Sequence, residues 1–178
     1  MFRSVLTVIG ALCVLAFAQV AQAAAGHDAV VSAYNPGWTE PRIGEIFLQA
    51  TCAIFDGVKQ SGVKRFLMVG GAGSLFVAPG VQLVDTPEFP AEIKVAASAA
   101  RDALNLIQQE SALDWSFVSP PILLNPGVRT GQYRVGADEP LWAEGGAPGS
   151  ISVDDLAVAI VDELETPKHI QKRFTVAN

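Results

Sequence analysis

Four short apolar runs rich in β-branched and aromatic residues, AVVSAY (29–34), VKRFLMV (63–69), DWSFVS (114–119) and RFTVA (173–177), alternate with longer stretches of helical periodicity. Strands separated by helices of this length build βαβ units, so the expected architecture is α/β, a parallel sheet with flanking helices. Turn residues bound the runs: NPGW follows the first, GGAGS the second and Pro120-Pro121 the third, because proline cannot continue a central ladder. In GEIFLQATCAIFDGVKQSGV (44–63), Ile46, Phe47, Ala50, Ile54 and Val58 recur at helical spacing, and Gly62 stands where a helix stops. A long loop with Pro79, Pro87 and Pro90 leads to AEIKVAASAARDALNLIQQE (91–110), whose alanines suit a helix packed closely on a sheet. Ser152 and Asp155 have capping-box spacing, and Val153, Leu156, Ala157, Ile160, Val161 and Leu164 form the expected apolar stripe of a last helix.

The first 23 residues fit this scheme in two ways. Met1–Arg3 give a positive start, Ser4–Ala18 are uncharged and mostly apolar, and Ala21-Gln22-Ala23 has the small-x-small pattern of a signal-peptidase site. One reading is a signal-like segment, 1–23, ahead of a domain at 24–178; the other is a buried helix of small residues. The run falls short of the roughly 20 apolar residues of a membrane span.

At 178 residues the chain has room for one domain with a single covered core. Half the residues are hydrophobic and 17% are charged, which excludes a disordered chain. A net charge of −6 argues against nucleic acid as a partner. Cys13 and Cys52 allow no internal disulfide once 1–23 is removed, which suits a reducing compartment. With two histidines and no Cys/His cluster, no metal site is expected.

Parallel sheets bind ligands at the carboxyl ends of their strands, which directs attention to the loops after Tyr34, Val69 and Ser119. GGAGSL lacks the phosphate-loop Gly-Lys-Ser/Thr and the third glycine of a dinucleotide fingerprint, and Pro79 follows where a helix would aim amides at an anion. It reads as a tight turn, or as backbone that a flat ligand approaches closely. Lys94 is either a solvated lysine or a cation reaching the strand ends to hold a ribose hydroxyl or a reacting carbonyl. Asp85, Glu88 and Glu92 read as a solvated acidic stretch. Arg129, Thr130 and Tyr133 in GVRTGQYRVG either line a substrate pocket or build a turn. No Gly-x-Ser-x-Gly elbow exists, and His27 and His169 belong to no triad motif, so serine-hydrolase chemistry is not expected.

The segments GHDAVVSAY, GVKRFLMVGGAGSL, VDTPEFPAEIK, LDWSFVSPP, PGVRTGQYRVG, SISVDDLAVAIVDELE and KRFTVA resemble, in order and spacing, the atypical short-chain dehydrogenase/reductases of the NAD(P)H-binding, NADH-flavin reductase type, relatives of NmrA-like proteins. The resemblance runs from about Gly26 to the C-terminus and implies a Rossmann-like domain with NAD(P)H as cofactor and a small-molecule electron acceptor as partner. Carried over by position, Ser32, Ala33 and Tyr34 border the cofactor, Gly70, Gly71 and Ala72 form a backbone wall, and Ser119, Pro120 and Pro121 sit beside the nicotinamide. Lys94 takes the family's loop-to-helix position as a catalytic candidate, with Arg129 and Tyr133 as substrate candidates. Pro90 stands where mainstream members carry the tyrosine of Tyr-x-x-x-Lys. Hydride transfer would therefore suit a flavin or quinone-like acceptor that takes its proton elsewhere.

Family members begin with a strand, a Gly-x-x-Gly-x-x-Gly turn and a helix, which the apolar segment replaces. An N-terminally truncated domain is thus expected, without the pyrophosphate cradle, so that NADPH binds weakly or not at all, and with a bare sheet edge that an oligomer is one means of covering. Two functions stand side by side: an NAD(P)H-dependent reductase, cytoplasmic as the resemblance implies, or a non-catalytic module, exported through 1–23 or membrane-tethered.

Overall fold

The computed structural model describes residues 5–8 and 17–178. In chain order the elements are β1 (Val5–Val8), α1 (Phe17–Ala24), β2 (Ala29–Ser32), α2 (Ile43–Ser61), β3 (Arg65–Val69), β4 (Phe76–Ala78), β5 (Val81–Gln82), α3 (Ala91–Ile107), β6 (Asp114–Ser119), β7 (Leu123–Asn125), β8 (Arg134–Gly136), β9 (Ser150–Ser152), α4 (Val153–Glu165) and β10 (Lys172–Ala177). The main sheet runs β1-β2-β3-β6-β10-β8. Every pairing in it is parallel except that of β10 with β8. This is the expected α/β, Rossmann-like architecture.

Strands β2 and β3 are buried on both faces, which is why their sequences read as continuous apolar runs. On one face α1, α2 and α3 cover Val30, Phe66, Met68, Trp115 and Phe117. On the other, Leu156, Ala159 and Leu164 of α4 close over Val31, Leu67, Val118 and Phe174. Gly62 ends α2 in the left-handed conformation, φ 83°, as its position in the sequence predicts. Ala99 and Ala103 bring α3 close to the sheet, with Leu104 and Ile107 filling the space below.

Three expectations change. The apolar segment is partly built into the fold: β1 pairs with β2 in the register Val5↔Ala29 to Val8↔Ser32, so the edge of β2 is not bare. Helix α1, which contains Ala21-Gln22-Ala23, buries Val20, Ala21 and Ala24. At the α1–α2 crossing a Cβ on Gly57 would lie 2.5 Å from Val20 Cβ and 2.6 Å from the Phe17 carbonyl oxygen, so only glycine fits. Cys13 lies outside the described residues; Cys52 is a free, exposed thiol.

The loop between Val69 and Ala91 is not structureless, for β4 and β5 form an antiparallel hairpin in it. The stripe on α4 is rotated: Val153, Ala157 and Val161 face solvent, while Asp155 and Glu163 are buried with Leu156, Ala159 and Leu164. Two polar anchors set that rotation. The Ser152 hydroxyl caps the helix by accepting from the Asp155 amide (2.9 Å). The Asp155 carboxylate turns to the 130–131 loop, completing only half of a capping box.

Candidate functional site

A cavity of about 830 Å³ opens at the carboxyl ends of β2, β3 and β6, roofed by α2 and α3. Three loops converge on it: Ala33–Asn35 after β2, Gly70–Gly73 after β3 and Pro120–Ile122 after β6. The structure thus brings seven of the sequence candidates together on one wall, Ala33, Tyr34, Gly70, Gly71, Ala72, Pro120 and Pro121. Ser32 and Ser119 do not line the cavity; they are the last residues of β2 and β6, and both hydroxyls are buried without a hydrogen-bond partner.

The glycine turn forms the floor for steric reasons. The Gly70 amide donates to the Val118 carbonyl at 2.8 Å, which pins the turn to β6. A Cβ on Gly70 would lie 2.0 Å from Phe117 Cζ, so no side chain fits. Gly71 has open space where a side chain would project, leaving bare backbone facing the cavity. Ala72–Ser74 then make a single 3₁₀ turn, closed by the Leu75 amide on the Ala72 carbonyl at 2.9 Å.

Arg173 of β10 locks this turn from behind. Its guanidinium donates to the Ser74 carbonyl (2.7 Å) and to Asp138 Oδ1 (2.8 Å from Nε), and it lies 5.6 Å from the centre of the Phe76 ring. The Phe76 amide in turn donates to the Asp138 carbonyl. Nothing in the KRFTVA segment points to that role, because the partners come from segments 35 and 99 residues away.

Other candidates lie elsewhere. Lys94 is exposed and borders a shallow depression with Gly44, Leu48, Val95, Ser98, Ala99 and Asp102, away from the cavity. Arg129 is exposed on a loop that Asp155 pins: the Thr130 and Gly131 amides each donate to Oδ1 at 2.8 Å and the Thr130 hydroxyl to Oδ2 at 2.7 Å. These bonds hold the Asp155 carboxyl well below the usual carboxylate range, the Thr130 hydroxyl first among them. Tyr133 donates to Asp162 Oδ2 at 2.5 Å, and burial together with that carboxylate pushes its phenol up to about 12. Asp85 pairs with Arg101 at 3.0 Å, whereas Glu88 sits at the cavity rim. Among the described residues no cluster of His, Cys, Asp and Glu is placed to hold a metal ion.

The opposite wall escaped the sequence reading. Ile43 and Phe47 come from α2, Ile93, Ala96, Ala97 and Ala100 from α3, and Trp142 from the loop after β8. The α3 set has i, i+3, i+4, i+7 spacing, a signal that was present in AEIKVAASAA but reads equally well as core.

The sequence profile of the NAD(P)H-binding family matches residues 6–167. The chain belongs to this family. The match begins well ahead of Gly26, so the segment that precedes β2 counts within it. Solved structures of relatives agree with the fold. A candidate epimerase of Bacteroides thetaiotaomicron is 45% identical, with a TM-score of 0.85, covering 93% of this chain and 74% of its own. A candidate exported protein of Burkholderia pseudomallei is 40% identical at TM-score 0.85, covering 97% and 87%. A candidate NADH-flavin reductase of Streptococcus pneumoniae, SP1627, is 34% identical at TM-score 0.79, covering 91% and 77%. Their names differ over reaction and location, while membership of the NAD(P)H-binding family rests on the profile itself. Among the described residues no helix is long and apolar enough to cross a membrane.

Proposed function

We propose that the chain is an NAD(P)H-dependent reductase that seats the nicotinamide against the ends of β2, β3 and β6 and passes a hydride to a flavin or quinone-like acceptor in the adjoining cavity. The observation that carries this reading is the convergence of three strand-end loops on one apolar cavity whose floor, Gly70–Gly71, is bare backbone. The residues fit a flat ring: Gly71 leaves open space, Pro120 and Pro121 supply a rigid side wall, and the unpartnered hydroxyls of Ser32 and Ser119 lie at the adjoining strand ends. The name of the Streptococcus relative favours the same class of reaction.

The reduced nicotinamide supplies the hydride when bound. Gly70–Ala72 would hold the ring on bare backbone, Ala33 and Tyr34 would border it, and the apolar wall of Phe47 and Trp142 would exclude water. Lys94 lies outside the cavity, and proline occupies position 90, so neither offers the Tyr-Lys proton relay. The acceptor takes its second proton from water. Residues 9–16, where contacts to the pyrophosphate would be sought, lie outside the described residues.

Calorimetric titration of the full chain with NADPH and NADH, paired with absorbance of the nicotinamide during turnover, tests the reading. Saturable binding and acceptor-dependent oxidation are expected; absence of both with quinone and flavin acceptors alike would sink it. A second reading, a non-catalytic exported module, draws on the relative named as exported and on the Met1–Ala23 pattern. Mass spectrometry of the N-terminus from fractionated native cells separates them: a terminus at Ala24 in an exported fraction supports the second reading, and a retained Met1 the first.

A further inference from the structure

The charges around the cavity are one-sided. Among the described residues its lining contains no lysine, arginine or histidine, and the one charged side chain there is Glu88, exposed at the rim. The remaining wall is aromatic and aliphatic, with Trp38, Phe47, Phe89 and Trp142 as its largest members. Two of its polar side chains are already engaged: Asn35 Oδ1 accepts from the Gly37 amide (2.7 Å), and the Thr86 hydroxyl donates to the Leu83 carbonyl (2.9 Å).

These observations separate two acceptors that hydride chemistry alone does not. An uncharged ring gains from burial against aromatic surface. A phosphate or sulfonate on the same ring brings a negative charge to a pocket with no cation among the described residues and with a carboxylate at its mouth. The hydrogen-bonding edge of an isoalloxazine likewise meets few uncommitted side chains, whereas a quinone has only two carbonyls to satisfy.

We propose that this cavity selects an uncharged aromatic quinone and discriminates against phosphorylated flavin. The inference rests on the reductase reading above. In the balanced step, reduced nicotinamide loses a hydride, one proton with two electrons, to the quinone. A proton from water completes the hydroquinone, and the nicotinamide leaves oxidised.

The test uses the full chain without nicotinamide and follows tryptophan fluorescence, to which Trp38 and Trp142 of the cavity contribute, during titration with menadione, a naphthoquinone sulfonate, lumiflavin and FMN. Menadione is expected to bind about tenfold or more tightly than the sulfonate, and lumiflavin more tightly than FMN, as expected for a like charge near a partly exposed carboxylate. Glu88→Lys should shift the FMN-to-menadione affinity ratio by about tenfold towards FMN, with Glu88→Gln intermediate. Wild-type binding of FMN or the sulfonate as tight as that of the uncharged ring overturns the proposal, as does a failure of menadione to bind. NADPH oxidation is read separately. Selective menadione binding without oxidation by any acceptor keeps the selectivity and removes the reductase reading. Fastest oxidation with FMN does the reverse.

Discussion

The two ends of the central strands are built in opposite ways. Towards their amino ends, Arg65 of β3 donates to the Asp114 carbonyl (2.8 Å), Ser116 Oγ (2.9 Å) and Glu163 Oε1 (3.1 Å). Glu163 also accepts from the His169 amide (2.9 Å) and meets His169 Nδ1 at 2.7 Å, while the His169 ring stacks on Phe174. At the carboxyl ends there is an apolar cavity, bare glycine backbone and two buried hydroxyls without partners. One end binds α4, β3, β6 and β10 into a unit with a largely satisfied polar cluster. The other leaves polar groups unspent and space unfilled, as a ligand site requires.

Breaking the polar end should have the largest effect. Glu163→Gln leaves the Arg65 charge buried without its counter-ion and is expected to cost about 3–5 kcal/mol, read from urea denaturation. The same carboxyl carries a pH dependence. Burial works against its charged form, but the His169 side chain and the His169 and Lys168 amides outweigh burial and hold Glu163 below the ordinary carboxyl value. A depressed folded pKa means that the stabilisation is complete above the unfolded value of about 4.3 and is lost as pH falls from there through the folded value. Melting temperature should therefore fall in that acidic window, and less steeply in Glu163→Gln.

At the cavity end, Gly70→Ala drives a methyl into Phe117 and should cost about 1–3 kcal/mol in denaturant titration. Ring binding should weaken with it, because the floor must shift. Ser119→Ala removes a hydroxyl that has no partner, so stability should change by less than about 1 kcal/mol. A loss beyond about 2 kcal/mol would show that the hydroxyl is engaged and would blur the contrast between the ends. Lys94→Ala should do least, within about 0.5 kcal/mol and with no change in Kd for NADPH or menadione, since its side chain is exposed away from the cavity. A large drop in NADPH oxidation by this variant would support Lys94 as a catalytic residue.

The legible part of the fold was the part with period. Strands β2, β3, β6 and β10, and helices α2, α3 and α4, announce themselves through apolar runs, helical spacing and the stops at Gly62 and Pro120. Strands β4, β5, β7, β8 and β9 are two or three residues long, too short for alternation to register. The floor of the cavity was legible for a related reason: its loops follow recognisable strands, and strand ends are where parallel sheets place ligands. Its roof was not, because Trp142 gains meaning only when β8 and its following loop return to the strand ends. On α4 an apolar count favoured Val153 and Val161, while Asp155 and Glu163 took the inner face through bonds to residues distant from the helix stripe.

Gly57 gives the N-terminal segment a clock. The missing side chain there lets α1 settle so closely on α2 that Ala24 is wholly enclosed and Ala21 nearly so. Once α1 has docked, the bond after Ala23 lies at the end of an engaged helix, where a peptidase that needs extended backbone has no grip. Were the chain processed after Ala23, the cut would have to come before α1 docks. Slower docking of α1, for instance in Gly57→Ala, would leave that bond accessible for longer.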